Sequence, residues 1–136
     1  MAVTVQGEVL IDGAAEGPVF CMAKPISFWG GIDPKTGKVT DPRHPDCGAS
    51  VASTVLALSE TIGSSSSSAV MLELLAVGLA PRALLLGRPD AILTLGVVVA
   101  REMGMGSIPV LRVPVEQVPQ NGLARIREGG EILFSS

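Results

Sequence analysis

Tyrosine is absent from this sequence, and three phenylalanines and one tryptophan are its only aromatic residues. A core must therefore be built from Val, Leu, Ile, Ala and Met, and stacking of nucleic-acid bases on aromatic side chains is poorly supported. Charge is also scarce: Asp, Glu, Lys and Arg make up 17% of the chain, with a formal net charge of -3. The ten basic residues are scattered, so no concentrated basic face for phosphate backbones is expected and no nucleic-acid partner with it. Two cysteines, Cys21 and Cys47, have neither a metal-binding spacing nor a dense disulfide pattern, which predicts free thiols in a reducing compartment. The apolar stretch Ala91 to Ala100 is about half the length needed to span a bilayer and reads as a buried helix. The first residues show no basic segment followed by an apolar one, so the expectation is a cytoplasmic protein with no membrane partner.

What is present is hydrophobic: 47% of 136 residues, enough for one domain with a real core, taken as residues 1–136. So little charge implies that part of the surface is covered by a partner.

The first stretch, Val3 to Ile11, alternates as a half-buried strand would, with an interruption at Gly7, and Pro18 to Met22 suits a second strand. An antiparallel pair is expected from them. Phe28 to Gly48 then holds four glycines and three prolines in 21 residues, which prevents a regular helix or central strand. Loops of this length usually bind something or cover an interface. Phe28 and Trp29 would anchor it by burial, and Gly30 and Gly31 would allow close backbone approach. Within it lie Arg43 and His44, the only histidine. As the only imidazole His44 could act as a general acid or base near neutral pH or contact substrate, and Arg43 could pair with a carboxylate; alternatively the two fasten the loop to carbonyls and to Asp33 or Asp41.

After the strand Val55 to Leu58 comes Gly63-Ser64-Ser65-Ser66-Ser67-Ser68-Ala69, directly before an apolar run. Five serines also suit a flexible linker, but linkers join regions that stand apart, whereas this run is short and flanked by hydrophobic segments. The pattern predicts a strand, a glycine-opened turn and the first turn of a helix, where backbone N–H groups and hydroxyls favour an anion. Without Lys or a Gly-x-x-x-x-Gly-Lys-Ser/Thr pattern, a carboxylate or single phosphate fits better than a nucleotide. Glu60 is a candidate acid or a solvated turn residue.

The helix should run from Ala69 to Val77 and stop at Gly78, burying Leu72, Leu75 and Leu79 and leaving Glu73 outside. A strand at Arg82 to Gly87, a helix at Ala91 to Met103 capped by Asp90, and a strand at Ile108 to Val113 follow. That helix is apolar on nearly all faces, as if enclosed between the sheet and another polypeptide. A hairpin of Leu123 to Arg127 and Glu131 to Phe134 ends the chain. Alternating strands and helices argue for an α/β domain with parallel strands, whose ligands bind at the strands' carboxyl ends, where Gly63 to Ser68 falls.

The loop Pro25 to Pro45, taken with Gly63 to Ser68 and Leu72-Glu73-Leu74, resembles the small, swivelling-domain subunit of the aconitase X family over about residues 5 to 127. The resemblance implies a swivelling β/β/α domain, with a central mixed sheet and flanking helices, closed over a large subunit. The active site would lie at their interface and the reaction would be elimination of water from a small hydroxy-acid substrate. An iron–sulfur cluster would have its ligands mainly or entirely on the large subunit. Family activities include cis-3-hydroxy-L-proline dehydration and (R)-5-phosphomevalonate dehydration. A family serine proposed as catalytic base maps onto Ser65, with Ser64 and Ser66 as neighbours in contention. Gly63, Ser67, Ser68, Arg43 and His44 would then contact substrate. The absence of a basic cluster beside the serines favours the hydroxyproline, and a non-catalytic stabilising domain is the reading from a different class.

Overall fold

The computed structural model describes residues 2–136, and within them the layers follow from how strands of different hydropathy are used. Four short strands are buried or nearly so on both faces and form a parallel ribbon. These are the downstream half of β3 (Ala15–Cys21), β4 (Val55–Leu58), β5 (Ala83–Leu86) and β6 (Val110–Arg112). Continuous apolar runs such as Val-Leu-Ala-Leu and Ala-Leu-Leu-Leu are what such strands require. Four others pair antiparallel: β1 (Ala2–Gln6) with β8 (Glu131–Ser135), β8 with β7 (Leu123–Ile126), and β7 with the upstream half of β3. β2 (Glu8–Ile11) pairs antiparallel with β6.

The strand order is β1-β8-β7-β3-β4-β5-β6-β2. β1 and β2 stand at opposite edges although only Gly7 separates them in sequence, so the sheet folds over on itself at β3. Pro18 marks the fold: up to it β3 faces β7, and from Val19 onward it runs beside β4. The crossing from β1 to β2 is tight, with the Gly7 N–H donating to the Gly130 carbonyl at 2.8 Å.

Side-chain alternation then makes two cores. Val55, Ala57, Ala83, Leu85 and Leu111 meet Ala124, Ile126, Ile132 and Phe134 between the two β layers. Leu56, Leu58, Leu84, Leu86 and Val110 point the other way, onto the helices α2 (Ser67–Val77) and α3 (Ala91–Glu102). This is a β/β/α stack.

The opening of the chain differs from its sequence-based expectation. Val3 to Ile11 is two strands, and neither pairs with β3; the partners of β3 come from residues far along the chain, which local alternation does not encode. α2 buries Val70, Met71 and Leu74, not Leu72, Leu75 and Leu79, which are half-buried. Its rotation is set by α3, which lies against it, and nearly every face of α2 is apolar enough to serve. Trp29, expected as an anchor, is 61% exposed, whereas Phe28 is fully buried. The reason is local: within the short helical turn α1 (Phe28–Gly31), Trp29 leaves helical geometry at ψ 116° and Gly30 takes φ 78°. The exposed Ile92 and Leu95 leave one flank of α3 uncovered within this chain.

Candidate functional site

The serine run begins one strand-end beyond β4. Its approach is fixed by a parallel bridge between Ile26 and Thr61 and by the Ile62 N–H donating to the Ile26 carbonyl at 3.0 Å. The chain then turns through Gly63 to Ser66, and the helix starts at Ser67. Ser64 closes the turn twice, its Oγ accepting the Ser66 N–H at 3.3 Å and its carbonyl the Ser67 N–H at 3.1 Å. Ser66 is the N-cap, but no serine hydroxyl caps the helix. The five hydroxyls do not converge as a set. Ser65 is exposed, Ser64, Ser66 and Ser68 are half-buried, and Ser67 is buried. The helix ends as its sequence predicts, with Gly78 in the left-handed region at φ 78°.

Two open clefts flank this turn. One, about 540 Å³, is lined by Ser27, Trp29, Gly30, Asp41, Arg43 and Ile62, the last being the residue before Gly63. The other, about 400 Å³, shares Trp29, Gly30 and Thr40 and reaches Ala69 and Val70, the residues after Ser68. The serine run therefore lies between residues of both clefts, though none of Ser64 to Ser68 lines either one. A further concavity of about 590 Å³, between Ala14–Glu16 and Arg125–Glu128, holds none of the sequence-predicted site residues.

Arg43 is at the mouth of the first cleft with its side chain 91% exposed. Asp41 steadies it: Asp41 Oδ1 accepts the Arg43 N–H at 3.0 Å and lies 3.6 Å from the guanidinium Nε. The backbone donor foremost, and the guanidinium after it, hold the Asp41 carboxyl below its usual range. His44 is placed differently, with only 8% of its surface exposed. Its Nε2 sits 2.9 Å from the Lys24 carbonyl, to which it must donate, and its Nδ1 accepts the Asp46 N–H at 3.0 Å. In this arrangement the imidazole fastens the loop to the end of β3, and it shares no cleft with Arg43. Glu60 pairs with Arg88 at 3.4 Å, outside both clefts beside the serines.

Among the described residues no three His, Cys, Asp or Glu side chains converge to hold a metal. Cys47 is exposed, and burial, with the Asp46 carboxylate adding to it, pushes the half-buried Cys21 thiol up. With Cys21 and Cys47 as its only thiols and no third ligand beside them, the described residues do not fit an iron–sulfur cluster. No helix among the described residues is long and apolar enough to cross a membrane.

Sequence reasoning missed Thr61 and Asp90 as parts of this region. Thr61 Oγ1 donates to Asp90 Oδ2, joining the approach to the serine turn with the start of α3. Asp90 was legible only as a helix cap, because nothing in the sequence brings the two residues together.

A β/β/α stack that displays a serine turn and a glycine-rich loop on an open face defines a small swivelling-type domain. The chain belongs to the aconitase X swivel domain family, whose model matches residues 4–134. It is 44% identical over 110 residues to a cis-3-hydroxy-L-proline dehydratase of Hypocrea jecorina, covering 81% of this chain and 18% of that enzyme. It is 38% identical over 96 residues to a phosphomevalonate dehydratase small subunit of Thermococcus onnurineus, covering 71% and 74%. The crystal structure of aconitase X from Thermococcus kodakaraensis, in its holo form, superposes with a TM-score of 0.88 at 30% identity, over 98% of this chain and 99% of that one. The chain thus spans less than a fifth of the length of the hydroxyproline dehydratase it matches.

Proposed function

We propose that this chain is the small subunit of a cis-3-hydroxy-L-proline dehydratase, active only with a large subunit that carries most or all of the iron–sulfur ligands. The observation that carries the substrate choice is that, among the described residues, Arg43 is the only cation lining the two clefts beside the serine turn. One guanidinium suits one carboxylate, whereas a phosphorylated substrate calls for more positive charge. The 44% identity to a hydroxyproline dehydratase points the same way.

In the reaction, Ser65, with Ser64 and Ser66 as the other candidates, takes the proton from the ring carbon that bears the carboxylate. The released electron pair forms the double bond to C3, the C3 hydroxyl leaves with a proton as water, and the enamine tautomerises to Δ1-pyrroline-2-carboxylate. A serine base must be stabilised as an alkoxide, and backbone donors at the start of α2 serve that purpose best. Gly63 allows close approach, Ser68 contributes a polar rim, and Arg43 orients the carboxylate. Ser67 and His44, being buried, act on this site through packing and loop position.

A (R)-5-phosphomevalonate dehydratase is the second reading, favoured by the relative whose own length this chain largely covers. A non-catalytic domain that stabilises a metabolic enzyme is the third. The test is reconstitution with the large subunit and assay on each substrate separately. Turnover of cis-3-hydroxy-L-proline and a loss of roughly 10²–10⁴-fold in kcat for one of Ser64→Ala, Ser65→Ala or Ser66→Ala are expected. Turnover of phosphomevalonate alone overturns the substrate. Unchanged kcat in all three variants, in a complex that forms normally, overturns the base.

A further inference from the structure

The serine turn makes little of its own geometry. Within it the hydrogen bonds are the two closed by Ser64, its exit is joined to α2 by the Ser66 carbonyl accepting the Ala69 and Val70 N–H groups at 3.1 and 3.3 Å, and its N-cap side chain makes no capping bond. Besides the Ile26 bridge upstream and α2 into which it runs, contacts on both of its flanks lead to one further helix.

Upstream, Asp90 uses its carboxylate twice. Oδ1 accepts the N–H groups of Ile92 and Leu93, both at 3.0 Å, which completes the cap of α3. Oδ2 is left over from capping and accepts the Thr61 hydroxyl at 2.5 Å. Thr61 stands two residues before Gly63, in the segment bridged to Ile26, so the bond ties the entrance of the turn to α3. The carboxylate end is itself fixed, since Thr94 Oγ1 donates to the Asp90 carbonyl at 2.7 Å. Downstream, α3 touches the exit of the same turn: a Cβ on Gly96 would lie 2.6 Å from the Ser68 carbonyl oxygen and 3.0 Å from its Cα. One helix holds the turn before its first serine and at its last.

We propose that Asp90, acting through Thr61, is a positioning residue that fixes the serine turn for the elimination reaction, a role that rests on the reading of Ser64, Ser65 or Ser66 as the base. A plain capping role would need only Oδ1. The bond from Thr61 is what separates the two, and it is charge-assisted and half-buried, where such bonds hold geometry best.

The decisive variants leave the Asp90 cap untouched. Thr61→Val removes the hydroxyl while keeping the branched shape, Thr61→Ser restores it, and Thr61→Ala replaces the valine variant if that one does not fold. Amide resonances of Ser64 to Ser68 are followed by NMR in the full chain, and kcat and KM in the complex reconstituted with its large subunit. The expected result is that Thr61→Val shifts or broadens those amides and lowers kcat on the order of ten- to a hundredfold, with KM changed less than about threefold. Thr61→Ser should return both to near the parent. Unmoved amides in Thr61→Val overturn the proposal. So does a kcat held at the parent value when a serine-to-alanine variant loses turnover. If all three serine variants keep full turnover, the base assignment falls instead, and the tie stands or falls on the amide resonances alone.

Discussion

His44 is held through both ring nitrogens, so the one imidazole of the chain is spent on structure where it stands. Replacing it leaves a carbonyl at Lys24 and an N–H at Asp46 without their partner in a part-buried place. His44→Ala should therefore cost about 1–3 kcal/mol of stability, read as a lower urea midpoint, because two hydrogen bonds of roughly 0.5–1.5 kcal/mol each are lost. Asp41 works on the exposed side of the same loop. Its carboxyl is held below the ordinary value, first by the Arg43 N–H, so the folded chain binds that proton less readily than the unfolded one. The order it lends is present at neutral pH and at all values above the unfolded pKa, and it is lost as pH falls through the lowered folded value. The Arg43 amide resonance should accordingly titrate below the ordinary aspartate range, and Asp41→Asn should flatten that curve.

Elements were legible where neighbouring residues decide them. β4 appears at Val55–Leu58 as its apolar run predicts, α2 ends at Gly78, and α3 begins at the Asp90 cap. The terminal hairpin falls on Leu123–Ile126 and Glu131–Ser135. Pairing was less legible, because β3 takes β7 and β4 as partners through contacts remote in sequence, and an alternating pattern names a buried face without naming its neighbour. The serine turn was visible as a helix start, and Arg43 as a loop cation. Their support was not, since Thr61 and Asp90 meet only when β4 and β5 lie side by side and bring the segments that follow them together. Gly96 belongs to the same class of hidden positions. In sequence it is a glycine weakening a helix; in the fold it lets α3 pass over Ser68, with Met71 Cβ only 3.2 Å from where its own Cβ would be. Gly96→Ala gains helix propensity but forces α2 and α3 apart. The expected net effect is a loss of about 1–3 kcal/mol in thermal or urea denaturation, the range for overpacking, together with lower turnover in the reconstituted complex.

For the whole molecule, the face that carries the serine turn is also apolar and open. Trp29 and Ile62, 61% and 58% exposed, line the cleft that has Arg43 at its mouth. An aromatic and a β-branched side chain left in water beside a cation and a helix start suit a surface that a large subunit closes, with substrate held between. Phe28 and Trp29 are neighbours with opposite fates, one sealing this domain's own core and the other available to a partner. Trp29 is the only tryptophan in the chain, so with a large subunit whose own tryptophans are replaced it reports its surroundings directly. Assembly should move its emission to shorter wavelength, and Trp29→Ala should weaken assembly by about 2 kcal/mol, roughly thirtyfold in Kd, as expected for a central aromatic contact. The kcat at saturating small subunit should fall less than the affinity does, because Trp29 adds burial while the proposed base is one of the serines. If a complex forms with unchanged Trp29 emission, the partner covers another face, such as the uncovered flank of α3 at Ile92 and Leu95. The serine turn would then face solvent in the assembled enzyme, where an alkoxide base has no shelter from water, and the proposed elimination chemistry would fail with it.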